Sequence, residues 1–116
     1  MARDKLFLLL PDFTVDGRGP CYCPACATVE GLLAFYPRLR TSLHVQYVEF
    51  PRPRAAVSAE LGPDNQGLPV LIIGPGTPAS AVAGLDVREW QGKHFLLGPG
   101  DIGRYLARVY GIGEPH

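Results

Sequence analysis

The chain lacks an excess of either charge, lacks any long apolar run, and is sparing with cysteine, histidine and tryptophan. Eleven Lys and Arg residues balance eleven Asp and Glu. No global field therefore draws the protein onto a nucleic-acid backbone, and nucleic acid is set aside as a partner. The longest apolar run, Leu6 to Leu10, is five residues long, against the roughly 20 that a membrane-spanning helix needs, so no membrane segment is expected. The same run is too short for the core of a signal peptide and no small-residue cleavage site follows it. The expected compartment is cytoplasmic. Cysteine occurs three times, at positions 21, 23 and 26. Such a cluster excludes a framework of disulfides between distant segments, and under reducing conditions it points to redox chemistry, catalysis or metal ligation. No internal repeat and no low-complexity tail is present.

What is present suffices for one core. The 116 residues, 47% hydrophobic and 19% charged, correspond to a single domain over 1–116 that buries roughly two thirds of the surface of its unfolded chain. Folding needs no metal or disulfide staple.

Along the chain, Lys5 to Leu10 reads as a buried strand bounded by Pro11 and Asp12. A loop over Pro11 to Pro20 leads to the cysteines. Val29, Leu32, Leu33 and Tyr36 then recur at i, i+3, i+4 and i+7, the spacing of one helix face. Cys23 stands at the N-cap of that helix and Pro24 at its first position, where a missing N–H costs nothing; Pro37 stops it. Leu43 to Phe50 is a second strand, and Arg54 to Leu61 a short helix closed by Gly62 and Pro63. Val70 to Ile73, opened by Leu68-Pro69, is a third strand. Residues 74 to 84 read as an irregular excursion. Lys93 to Leu97 is a fourth strand after a Gln91-Gly92 turn, with Val87 to Trp90 a candidate to pair across it. Asp101 is read as the N-cap of a last helix carrying Ile102, Tyr105, Leu106 and Val109, with Gly111 just past its end.

The residues Cys23-Pro24-Ala25-Cys26 between first strand and first helix, with Leu68-Pro69 opening the third strand, resemble the thioredoxin and glutaredoxin superfamily. The element order extends the likeness over most of the chain. More narrowly, Tyr-Cys-Pro-Ala-Cys-Ala, Phe-Pro-Arg-Pro-Arg and Leu-Pro-Val-Leu are similar to segments of a small uncharacterised bacterial family of thioredoxin-like proteins. The resemblance implies an α/β thioredoxin-like fold, a central four-stranded mixed sheet flanked by helices in the order β-α-β then β-β-α. It implies thiol-disulfide exchange with a disulfide-bearing protein or a glutathione-like thiol and without a cofactor. Pro69 would be cis, and Leu68 would offer its backbone to the substrate, with Tyr22 and Pro24 beside it. Tyr22 stands where thioredoxins carry tryptophan, and Val70 where they carry threonine.

The chemistry explains the spacing. A thiol at a helix N-terminus faces free N–H groups and the positive end of the macrodipole, both favouring thiolate, which makes Cys23 the attacking group. Cys26, one turn on, can close a disulfide and release a mixed-disulfide partner. Cys21 is an auxiliary thiol or a bystander. Two other readings stay open. Cys21, Cys23 and Cys26 could ligate zinc or an iron-sulfur cluster with His44, His94 or His116, although zinc sites usually take two separated ligand pairs. The domain could also be a non-catalytic adaptor, since fold does not fix function. Arg52, Pro53 and Arg54 read as a solvated helix entry or an anion contact. Trp90 is read as core or as groove lining with Tyr22, and Glu30 as a solvent-facing side chain or a proton acceptor for Cys26. Gly98 to Asp101 is read as a turn and cap, or as a carboxylate-binding helix entry like that of glutaredoxins.

Overall fold

Along Lys5–Leu9, successive side chains point to opposite faces of a sheet, and Leu6, Phe7 and Leu8 are nevertheless all buried. Only a strand covered on both sides does this. In the computed structural model, which describes residues 3–116, this strand, β1, is followed by a two-stranded ribbon, β2 (Phe13–Val15) and β3 (Arg18–Cys21). Helix α1 (Pro24–Phe35), a single helical turn α2 (Leu39–Ser42), β4 (His44–Val48) and α3 (Ala55–Leu61) come next. The chain continues through β5 (Val70–Ile72), a 3-10 turn at Ala79–Val82, β6 (Arg88–Trp90), β7 (Lys93–Leu97) and α4 (Pro99–Tyr110).

The architecture is α/β around a mixed five-stranded sheet of order β4-β1-β5-β7-β6. β4 runs parallel to β1 and the other neighbours are antiparallel. The expected four strands are thus one too few. Arg88–Trp90 pairs with Lys93, His94 and Phe95 through Gln91 and Gly92, both at positive φ (47° and 80°), the twist that suits a two-residue hairpin.

Strand alternation sorts the core into two layers. Leu6, Leu8, Leu71 and Leu96 face α1 and α4, where Val29, Leu33, Ile102, Tyr105 and Leu106 are buried. Phe7, Val70, Ile72 and Phe95 face α3, with Val57 and Leu61. Helix α1 begins and ends where the apolar spacing and Pro37 place it, with Cys23 as N-cap and Tyr36 as C-cap. Helix α4 begins earlier than expected. Gly98 is its N-cap, Pro99 its first residue, and Asp101 lies inside the first turn, because Pro99 needs no N–H partner there. Gly111 closes it in the left-handed conformation, as read.

The expected loop over Pro11 to Pro20 is a β-hairpin instead. Asp16 and Gly17 carry φ of 50° and 75° at its tip, and Phe13 pairs with Cys21. An Asp-Gly pair is the usual signal for such a turn, but the flanking strands are short and include Gly19 and Pro20, which hid the pattern. The ribbon is pinned to the body by Phe13 stacked on Phe50, centroids 4.3 Å apart.

Two contacts hold the ends of the sheet. Ahead of β1, the buried Asp4 carboxylate accepts from Gly74 N–H (2.5 Å), Tyr105 Oη (2.8 Å) and Tyr110 Oη (2.6 Å), tying β1 to α4 and to the loop after β5. Burial, reinforced by the Asp4 carboxylate, raises the pKa of both tyrosines, so they act as fixed donors. At the far edge, a Cβ on Gly62 (φ 84°) would lie 2.6 Å from Trp90 Cε2. The indole closes the α3-side core over a residue that has to be glycine. Gly62→Ala is therefore expected to cost about 2–4 kcal/mol in urea unfolding, from backbone strain and overpacking together. Asp4→Ala, which orphans two buried donors and a half-buried one, is expected to cost about 3 kcal/mol or more, against about 1 kcal/mol for Tyr110→Phe.

Candidate dithiol site

The sheet register brings three chain segments to one edge. Phe7 pairs with Val70 in antiparallel register, so Leu68-Pro69, just ahead of Val70, enters the sheet at the end where β1 leaves it. The Leu68-Pro69 bond is cis, as expected; Pro69 is buried and Leu68 half-buried. Gly98 N–H donates to the Pro69 carbonyl at 3.3 Å, which brings the start of α4 to the same edge. Asp101 is already engaged there, accepting from Asp86 N–H at 3.1 Å.

The start of α1 completes the edge. Cys23 caps the helix through its sulfur, which accepts the Cys26 N–H at 3.2 Å. A sulfur here takes the place of the hydroxyl or carboxylate oxygen of an ordinary N-cap. Cys26 Sγ in turn accepts the Leu9 N–H at 3.4 Å, so the last residue of β1 holds the second thiol. The two sulfurs differ in access: Cys23 is half-buried, whereas Cys26 is only 4% exposed. Burial pushes the Cys26 thiol up to about 12; the Leu9 N–H lowers it, Cys23 raises it further, and the charge of Arg54 opposes. Cys26 therefore keeps its proton near neutrality, while Cys23 is the sulfur that solvent reaches.

Beside Cys26 lies a mainly apolar cleft of about 360 Å³ whose walls include Leu9, Tyr22, Glu30 and Tyr47. Tyr22, at 64% exposed, flanks its mouth. Glu30 reaches this cleft but is held by Arg40 and Tyr47, so it is occupied in a surface network rather than placed as a proton acceptor for Cys26. Trp90 lies away from the cleft, over Gly62, and lines no groove with Tyr22. Larger recesses, of about 600 and 660 Å³, lie at the opposite end of the sheet around Asp4 and His94, away from the thiols.

The third cysteine is turned aside. Cys21 ends β3, and its Sγ donates to the Arg18 carbonyl at 3.4 Å within its own hairpin. Among the described residues no three His, Cys, Asp or Glu side chains converge as a metal-ligating group. The Cys21, Cys23, Cys26 set is thus not gathered as the metal reading requires. His44 and His94 cannot complete it. His44 pairs with Lys5 at the start of β1, and His94 is level with Ile73 past the end of β5, both at the far end of the sheet from Leu9. Arg54 departs from expectation: it is not solvated but 6% exposed.

The Cys26 shift carries a pH signature. Between its ordinary value of 9.0 and about 12, the unfolded chain has lost this proton while the folded chain keeps it. Unfolding then releases a proton and stability falls as pH rises. Urea titrations are expected to show wild type losing stability relative to Cys26→Ala across this window, with the two running parallel below it.

Among the described residues no helix is long and apolar enough to cross a membrane. No curated protein and no solved structure was found to match the chain. A family model for a protein of unknown function, DUF3088, matches residues 3–114, and on that coverage the chain, with its capped dithiol and cis-proline edge, belongs to this family.

Proposed function

We propose that the chain is a thioredoxin-like domain that performs thiol-disulfide exchange through Cys23 and Cys26. One observation carries the reading: the two thiols are unlike, Cys23 half-exposed and capping α1, Cys26 buried and held by Leu9. An attacking thiol needs access and donors around its sulfur, and a resolving thiol needs protection until the first step is complete. The units β1-α1-β4 and β5-β7-α4, in the order expected from the resemblance, support the fold assignment, with β6 and the hairpin as additions.

The exchange runs in two displacements. The Cys23 thiolate attacks one sulfur of a substrate disulfide, the S–S bond breaks, and the departing sulfur leaves as a thiolate that takes up a proton. Cys26 then gives up its proton and attacks Cys23 Sγ, releasing the second substrate sulfur. The substrate gains two electrons and two protons, and the domain is left as a Cys23–Cys26 disulfide to be reduced by an external thiol. The cis bond at Leu68-Pro69 immediately precedes β5, at the end of the sheet where β1 leaves it. In this reading it forms the ledge along which an extended disulfide-bearing peptide or a glutathione-like thiol lies, between Tyr22 and Pro24. Cys21 takes no part.

Reduction of a model disulfide is the test. Cys23→Ser is expected to bring the rate to the uncatalysed background, Cys26→Ser to accumulate a mixed disulfide visible by mass spectrometry, and Cys21→Ser to leave the rate within about twofold. Wild type that fails to exchange under any reductant, or exchange that survives Cys23→Ser, would sink the proposal.

A further inference from the structure

At the end of the sheet away from the thiols, the chain leaves β5 and arches through Gly74 to Ala83 before it reaches β6. Both ends of that arch are anchored. Gly74 N–H donates to the buried Asp4 carboxylate at 2.5 Å. Arg108 Nη1, in the last turn of α4, donates to the Ala83 carbonyl at 2.8 Å and to the Ala81 carbonyl at 3.3 Å. Between the anchors Pro75 and Pro78 are exposed and have no N–H with which to pair against the body, so the arch stands clear of α4 and of the approach to β1. The recess beneath it has a volume of about 600 Å³, within the roughly 300–1,000 Å³ of small-molecule sites.

The walls of this recess carry positive charge that no acid takes up. Arg3 and Arg108 both line it, and neither belongs to an ion pair: among the described residues those join Lys5 and Lys93 to Glu60, Arg40 to Glu30, Arg88 to Asp86 and Arg104 to Asp101. Neutral carbonyls hold the two arginines in place. Arg3 Nη1 donates to the Thr41 carbonyl at 2.8 Å, and Arg108 is likewise bonded through Nη1. A guanidinium has five N–H donors, so each is fixed at one nitrogen while its remaining donors are unspent. The acidic side chain on these walls is Asp4, whose carboxylate is occupied by Gly74, Tyr105 and Tyr110. Two cations against one internally bonded carboxylate leave a positive surplus. The adjoining recess, of about 660 Å³, shares the wall from Pro75 to Pro78 but not this charge, since its Lys93 is bonded to Glu60.

We propose that the recess under the arch binds a small organic anion, a carboxylate or phosphate monoester with an apolar body. Arg3 and Arg108 hold the anionic oxygens, for which the planar guanidinium fork supplies paired donors, and the body lies against Pro75, Pro78 and Val109. The site stands at the opposite end of the sheet from Cys23 and does not depend on the thiol-disulfide reading.

Titration calorimetry on the full-length protein tests it. Phenyl phosphate and benzoate are the probes, with inorganic phosphate as an anion lacking the body and benzyl alcohol as a body lacking the charge. Wild type is compared with Arg3→Gln, Arg108→Gln and, as a control on β6, Arg88→Gln, and circular dichroism confirms folding. At least one of phenyl phosphate and benzoate is expected to bind wild type about tenfold or more tightly than inorganic phosphate and benzyl alcohol do; which of the two binds separates a phosphate from a carboxylate ligand. Arg3→Gln and Arg108→Gln are each expected to weaken that binding about tenfold, the loss of one charge-assisted contact, and Arg88→Gln to leave it within about twofold. Should Arg108→Gln not fold, because Arg108 also anchors the arch, Arg3→Gln decides alone. The proposal is overturned if neither organic anion binds wild type, if inorganic phosphate or benzyl alcohol binds as tightly as they do, or if a folded Arg3 or Arg108 variant keeps wild-type affinity within about twofold.

Discussion

The structure depends first on β1 being paired on both sides and covered on both faces. Because Leu6 and Leu8 face one layer and Phe7 the other, the strand can only sit inside the sheet, with β4 parallel on one side and β5 antiparallel on the other. That single placement decides the geometry of the candidate site. The exit of β1, the exit of β4 and the entry to β5 have to fall on one edge. Open α/β sheets generally bind their ligands outside the carboxyl ends of parallel strands, and here that edge carries Cys23, Cys26, Leu68 and Pro69.

The same strand makes the two thiols unequal. Leu9 gives its N–H to Cys26 Sγ, and the body of the sheet takes that sulfur out of solvent. Cys23, one turn earlier, lies at the rim and receives a helix N–H. A helix with the same CxxC spacing floating free of the sheet would offer two similar thiols. Docked on β1, it offers one accessible sulfur and one protected sulfur, and the division of labour in the proposed exchange follows from that contact.

Much of this was legible in the residues. The 3.6-residue spacing of Val29, Leu32, Leu33 and Tyr36, with Pro24 ahead and Pro37 behind, located α1 closely, since both its boundaries are set by local proline chemistry. Continuous apolar runs located β1 and β5, and the Gln91-Gly92 turn located β7. The hairpin is hard to read because its strands are three and four residues long, too short for an alternating pattern to stand out, although Asp16-Gly17 marks its turn. The start of α4 was misplaced because Asp101 looks like a cap, whereas Gly98 and Pro99 provide one by backbone conformation alone.

The features readable from the residues are local: which segments are helix or strand, and that two thiols flank a proline and an alanine at a helix start. These depend on contacts within a few residues. Chain packing turns Cys21 into its own hairpin, closes Trp90 over Gly62 and brings Asp4 to Tyr105 and Tyr110. It also buries Arg54, read as a solvated helix entry or an anion contact, against the Phe50 and Gln66 carbonyls. Each of these joins groups brought together by strand order and register. Burial and electrostatics are properties of that packing, and the linear order of residues carries no term for them.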